Sequence, residues 1–206
     1  MKWMLAAILS VALVTPALAT VDITLTAADD SDAVLIQLAP GATTGTFELK
    51  SGLSRATGGA AMFGYDAALK MESSAGAAGV FTITGRVAGP IVATVSGAAN
   101  ANILNAVLGP APTKDIGYFA NSGQLDDTNL PAVFDVLTIS ATDLKVGDVY
   151  TISVTAMSDG SLGASDPNGD LIEAGKLGAV TVTVTPEPAS LLLLALGGLF
   201  LRRRHA

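Results

Sequence analysis

Asp166, Asn168 and Asp170 stand at alternate positions of the segment Asp166-Pro167-Asn168-Gly169-Asp170, with Glu173 three residues beyond. Oxygen-bearing side chains spaced this way on a tight turn can converge on one point. That suits a hard cation, because Ca2+ takes about six to eight oxygen ligands in a flexible cage. The EF-hand pattern is not met: its sixth position calls for Gly and holds Leu171, and its twelfth calls for Glu and holds Leu177. Asp, Asn, Gly and Pro are also what any turn uses, so a plain turn accounts for the same residues. Asp29-Asp30-Asp32 and Asp126-Asp127 read as solvated loops. No spacing among these carboxylates selects two as the acid and base of a glycosidase.

Absences narrow the chemistry further. The one His is His205, next to the C-terminus, and there is no Cys. The body of the chain therefore lacks the Ser-His-Asp and Cys-His nucleophilic schemes. It also lacks the imidazole and thiolate ligands on which zinc and copper sites are built. Carboxylate chemistry remains, either as a hydrolase pair or as Ca2+ ligation, and no catalytic residue is assigned. The single Trp is Trp3, and aromatics make up 5% of the chain, so little is available to stack sugar rings. Between Thr20 and Glu187 seven cations face all eighteen carboxylates, a balance near −11. Such a charge argues against nucleic acid and against anionic membrane as partners. Without disulfides the fold must hold through its core.

The elements that carry these residues read as short strands. Val21 to Thr26 alternates apolar and polar residues, the mark of a half-buried strand. Ala33 to Ala39 follows, with Val34, Ile36 and Leu38 on one face, and Pro40-Gly41 ends it. Strands are also expected at 46–49, 61–65, 80–87, 91–95, 116–120, 133–141, 149–156 and 176–185. Segments 51–59 and 159–175 read as loops, 66–71 as a helical turn or irregular crossing, and 98–107 as a short helix or irregular strand. Short strands between Gly and Pro turns predict an all-β, antiparallel β-sandwich.

Tyr65-Asp66-Ala67-Ala68-Leu69-Lys70-Met71 resembles a tyrosine–aspartate–x–x–leucine crossing of cohesin-like sandwich domains, although Ala67 stands where Pro is common. The later order also fits that family: an apolar strand at 133–141, a strand at 149–156, the Asp-Pro-Asn-Gly-Asp loop at 166–170 and a closing Val/Thr strand. The resemblance implies a cohesin-like, jelly-roll type of sandwich. Cohesins are binding modules, but the shape alone does not imply a dockerin partner.

The two ends carry addresses. Lys2, the apolar run Trp3–Val14 and the small-x-small site Ala17-Leu18-Ala19 are the parts of a cleavable signal peptide over 1–19. At the other end Pro186-Glu187-Pro188 precedes the apolar run Ala189–Leu201, and Arg202, Arg203 and Arg204 close it as a stop-transfer cluster. Thirteen residues at about 1.5 Å each reach about 20 Å, short against a hydrocarbon core of about 30 Å. This order of parts resembles the PEP-CTERM sorting signal. The resemblance implies export in a Gram-negative bacterium, an inner-membrane intermediate held transiently by 189–201, and cutting by an exosortase. It also implies a place at the cell surface or in an exopolysaccharide or biofilm matrix.

The expected organisation is thus a signal helix (1–19), a β-sandwich (20–185) and a sorting tail (186–206) with a short transmembrane helix. The expected partners are the secretion machinery, an exosortase and an extracellular polysaccharide. Three readings stand: a non-enzymatic exported surface protein, a binding module for a protein or glycan with optional Ca2+, and a carboxylate-dependent polysaccharide hydrolase.

Overall fold

The computed structural model describes residues 20–57, 62, 64–91, 97–99, 103–113, 116–120, 130–166 and 168–188. The signal segment 1–19 and the tail from Ala189 onward, with their expected helices, lie outside the described residues, as does most of the strand expected at 91–95. The strands are β1 (Thr20–Ala27), β2 (Ala33–Leu38), β3 (Gly45–Thr57), β4 (Gly64–Asp66), β5 (Ala68–Ser73), β6 (Val80–Ala88) and β7 (Gly97–Ala99). They continue with β8 (Val107–Leu108), β9 (Tyr118–Ala120), β10 (Ala132–Thr142), β11 (Val149–Thr155), β12 (Gly163–Ser165), β13 (Leu171–Leu177) and β14 (Ala179–Pro186).

Alternation along these strands builds the sandwich. Val21, Ile23 and Leu25 of β1 are buried while the residues between them are half-buried, and Val180, Val182 and Val184 of β14 follow the same rule. One sheet runs β7-β9-β4-β12-β13-β1-β3-β10-β6-β8 and the other β2-β14-β11-β5. The apolar faces meet in one core. Phe81 of β6 packs on Tyr150 of β11 across it, with ring centroids 4.5 Å apart and planes tilted by 56°.

The sandwich is as expected, but its sheets are mixed. β1 pairs with β13, and β2 with β14, in parallel. The other ladders are antiparallel. The cause is a corner at Gly178. There β13 leaves the larger sheet and continues as β14 in the smaller one, while β1 and β2 make the same crossing alongside. Gly178 donates its N–H to the Ile23 carbonyl at 2.8 Å, and its own carbonyl accepts from Val154 N at 2.9 Å. A Cβ at this position would collide with the backbone nitrogen of Leu25, so the two chains pass here only because one of them has no side chain.

Local expectations shift in four places. The loop expected at 51–59 is the second half of β3, which pairs with β1 as far as Thr57. The crossing at 66–71 extends as β5. The loop at 159–175 contains β12 and β13. The ambiguous 98–107 region holds β7, a turn at 104–105 and the start of β8. Gly and Ser lower the intrinsic signal in 51–59 and 159–175, Ala and Asn lower it in 98–107, and pairing with neighbouring strands supplies the difference.

Two bulges re-aim the central strands. The β10–β3 register slips between Val133 and Asp135, and the β10–β6 register slips between Thr138 and Ile139, leaving Thr84 over. As a result Val133 and Val136 are only half-buried, while Phe134, Leu137 and Ile139 form the core.

The outer edge of β5 is sealed. The segment after β8 runs along it: Met71 N donates to Gly109 O at 2.7 Å, Thr113 N to Leu69 O at 2.8 Å and Ile116 N to Ala67 O at 2.8 Å. Pro110 and Pro112 lie within this cover. They lack N–H groups, which limits how far the ladder can be extended by another chain.

Candidate functional site

The 166–170 loop is a turn organised by its first residue. Asp166 Oδ1 accepts from the backbone N–H groups of Asn168 and Asp170, each at 2.8 Å, and Oδ2 accepts from Asn168 Nδ2 at 3.1 Å. Asp166 N donates to Asp170 O at 2.9 Å, and Gly169 N to Asp166 O at 3.0 Å, with Gly169 at φ +87°. These donors, the Asp170 amide first, hold the Asp166 carboxyl below its ordinary value. Among the described residues no group of three or more Asp, Glu, His or Cys side chains is close enough to hold a metal ion. Asp166, Asn168 and Asp170 are thus brought together by their own hydrogen bonds, and Glu173 sits on β13 opposite Thr20. Beside this loop a cleft of about 320 Å³ lies between 160–165 and 169–171, with Asp66, Ser161 and Leu171 on its walls.

The same Asx geometry recurs twice. Asp29 accepts from Ser31 N at 3.1 Å and Ser31 Oγ at 2.6 Å, and Asp159 accepts from Ser161 N at 2.9 Å. Both carboxyls are held low by these serine contacts. Asp29, Asp159 and Asp166 therefore each serve a turn of their own.

One charged pair escaped the sequence reading. Arg86 Nε donates to Asp135 Oδ1 at 2.8 Å, and Nη2 donates to Oδ2. Their side chains are 11% and 4% exposed. Strict alternation from the buried Phe81 and Ile83 would put Arg86 on the outer face of its strand. The β6 bulge sets it opposite Leu137, and residues directly opposite share a face, so it turns inward. Asp135 lies opposite the buried Ser51, whose hydroxyl is 3.4 Å from the Tyr65 phenol oxygen. Arg86 Nη2 also reaches the carbonyls of Ile116 and Gly117 at 3.5 Å, which ties the cover of β5 to the larger sheet. Arg86 is half-buried within the sandwich rather than in the cleft, and its geometry is that of a cross-tie.

The C-terminal motif begins on the sandwich itself. Pro186 is the last residue of β14 and pairs with Leu38, and Glu187 N donates to Leu38 O at 2.9 Å. Pro186 and Glu187 are half-buried and Pro188 is exposed. No spacer separates the fold from the apolar run that starts at Ala189. The signal site at Ala17 and Ala19 and the cluster Arg202–Arg204 lie outside the described residues.

Residues 184–204 match the PEP-CTERM protein-sorting motif. The chain therefore carries that motif, which indicates export and sorting to the cell surface. No curated protein matches the chain. Among solved structures the sandwich is similar to the cohesin module of a family 33 glycoside hydrolase from Clostridium perfringens ATCC13124. That likeness has 12% identity and a TM-score of 0.51, and covers 82% of this chain and 99% of that one. A type III cohesin module from the ScaE cell-surface anchoring scaffoldin of Ruminococcus flavefaciens gives 13% identity and a TM-score of 0.48, over 81% of this chain and 88% of that one. A non-cellulosomal cohesin from the hyperthermophilic archaeon Archaeoglobus fulgidus gives 8% and 0.44, over 84% and 96%. At such identities the likeness concerns the fold alone.

Proposed function

We propose that this chain is an exported, non-enzymatic surface protein whose sandwich is delivered and positioned by its C-terminal tail. The observation that carries the reading is the sorting motif at 184–204, joined without a spacer to the last strand of the fold. In this reading residues 1–19 are removed by signal cleavage after Ala19. The run 189–201 then holds the chain in the inner membrane, with Arg202–Arg204 on the cytoplasmic side. An exosortase cuts near Pro186-Glu187-Pro188, and the sandwich takes its place at the cell surface or in an exopolysaccharide matrix. Intact-mass spectrometry of the protein from its native host tests this. A mature chain beginning at Thr20 and ending near Pro188 is expected. A product still ending at Ala206 would overturn the processing step.

The absence of enzymatic function is part of the proposal. It is supported by the use of Asp29, Asp159 and Asp166 as turn caps and by the pairing of Asp135 with Arg86. A screen for hydrolysis of polysaccharides, with turnover that responds to a single Asp→Asn change, would contradict it.

A second reading, a binding module for a protein or glycan, is favoured by the cohesin-like fold. Ca2+ at Asp166, Asn168 and Asp170 belongs to that reading. Adding Ca2+ would then raise Tm and a chelator would reverse it; an unchanged Tm in both would remove the metal.

A further inference from the structure

The smaller sheet has one closed edge and one open one. β5 is covered by residues 109–113 and Ile116, whereas nothing among the described residues pairs with the outer edge of β2. The bonds that flank the β2–β14 ladder define which groups are free. Thr181 N donates to Asp32 O, and Glu187 N donates to Leu38 O. With Val34 opposite Val182 and Ile36 opposite Val184, the even-numbered residues of β2 face β14. The N–H and C=O groups of Ala33, Leu35 and Gln37 therefore point away from the sheet. Ala33 is partly satisfied, because its carbonyl accepts from Ser31 Oγ at 2.8 Å. Leu35 and Gln37 remain.

β2 has none of the usual devices that blunt an edge. Ala33-Val34-Leu35-Ile36-Gln37-Leu38 contains no charge and no Pro, and its register with β14 has no bulge. Leu35 is 65% exposed. Such a strand is a template for another extended strand.

The geometry points to a second copy of this chain as the occupant, paired antiparallel through β2 about a two-fold axis at Ile36. In that register Leu35 of one copy lies opposite Gln37 of the other, and each exchanges both main-chain hydrogen bonds with its partner. The four bonds use the two residues whose edge groups are free and leave Ala33 to Ser31. Charge selects the direction. A parallel pair would set the two acidic turns, with Asp29, Asp30 and Asp32, side by side. The antiparallel pair sets each acidic turn against the uncharged 39–44 segment of the other copy. Four main-chain bonds make a small contact, so the pair is weak and reversible. The inference stands apart from the sorting reading, because it needs only the folded sandwich.

The chain has no Cys, so introduced thiols are the only ones present. Purified full-length protein in mild detergent, carrying Leu35→Cys under one tag and Gln37→Cys under another, is mixed and oxidised with glutathione disulfide. Opposite residues at a hydrogen-bonded position lie about 5.5 Å apart at Cα, within disulfide reach. Identical residues are offset by about 7 Å along the strand and fall outside it. The mixed 35–37 disulfide is expected several-fold above both like–like products. It should also exceed the product from Val87→Cys, an equally exposed position on β6. Like–like products in excess would mean parallel stacking, and a mixed yield no higher than the Val87→Cys control would mean chance collision. Thiols at 35 and 37 that resist maleimide while Val87→Cys reacts would mean that another segment covers β2. Any of these three results overturns the inference.

Discussion

Asp29, Asp159 and Asp166 do the same work at different turns, and their titration carries a testable consequence. Each accepts backbone or serine donors in the folded state, and each carboxyl is held below its ordinary value of 3.8. A folded value below the unfolded one stabilises the protein above the unfolded value, and that contribution is lost as pH falls through the folded value. The urea midpoint should therefore be flat from neutral pH to about pH 5 and fall below about pH 4. The triple Asp→Asn variant keeps an acceptor oxygen at each turn without the titration. Its midpoint should fall less steeply, and an unchanged acid limb would refute the assignment. Arg86 and Asp135 make the opposite kind of contribution. Asp135→Ala leaves a guanidinium without its carboxylate in the core and should cost about 3–5 kcal/mol, read as a loss in the urea midpoint. The double change Arg86→Met, Asp135→Leu should recover most of that loss, because it removes both buried charges. Tyr150 is a third case. Its phenol donates to Asp148 Oδ2 at 2.9 Å and accepts from Gly79 N at 2.8 Å, and burial raises its pKa. Tyr150→Phe leaves Gly79 N without its acceptor, while Asp148 Oδ2 keeps the Lys145 N–H at 3.0 Å, and should cost about 1 kcal/mol by urea denaturation.

At the scale of elements, the fold depends on places where strands bend or switch. Gly178 is the corner at which one long ribbon leaves the larger sheet for the smaller. Gly178→Ala drives a methyl group into the backbone at Leu25 and should destabilise by roughly 2 kcal/mol or more, with a matching drop in Tm. A neutral result would mean that the crossing has room that the geometry denies. Gly52 plays a related part beside the β10 bulge, where a Cβ would strike the Ala132 carbonyl. These close approaches explain why a chain rich in Gly and Ala still closes a core. Small residues let the backbones come together, and Phe81, Phe134, Tyr65 and Tyr150 fill the remaining volume. The sealed edge at β5 and the open edge at β2 then give the smaller sheet its asymmetry.

At the scale of the molecule, the direct join between β14 and the tail sets the orientation. If the run 189–201 enters a bilayer, the end of the sandwich that carries Pro186, the 39–44 loop and the 145–148 turn faces that surface. A Gly/Ser spacer of about ten residues inserted between Glu187 and Pro188 would release that constraint. The protease accessibility of the 39–44 loop in membrane-held protein should then rise, and equal accessibility with and without the spacer would dissociate the sandwich from the membrane surface.

The sequence by itself determined the sorting motif at 184–204, the missing His and Cys chemistry, and the class of fold. These are properties of composition and of local order: an apolar run between Pro-Glu-Pro and three Arg needs no partner to be read, and alternation along β1, β2, β11 and β14 reflects one buried face. Tertiary structure alone decided the parallel pairings, the inward turn of Arg86 onto Asp135, and the strands within 51–57 and 171–177. Each of these depends on which strand lies beside which, and a one-residue bulge reverses the face that simple alternation assigns. The site at Asp166, Asn168 and Asp170 divides between the two. Its spacing was visible in the chain, but only the folded loop showed that Asp166 Oδ1 already accepts two backbone N–H groups and Oδ2 the Asn168 side-chain amide.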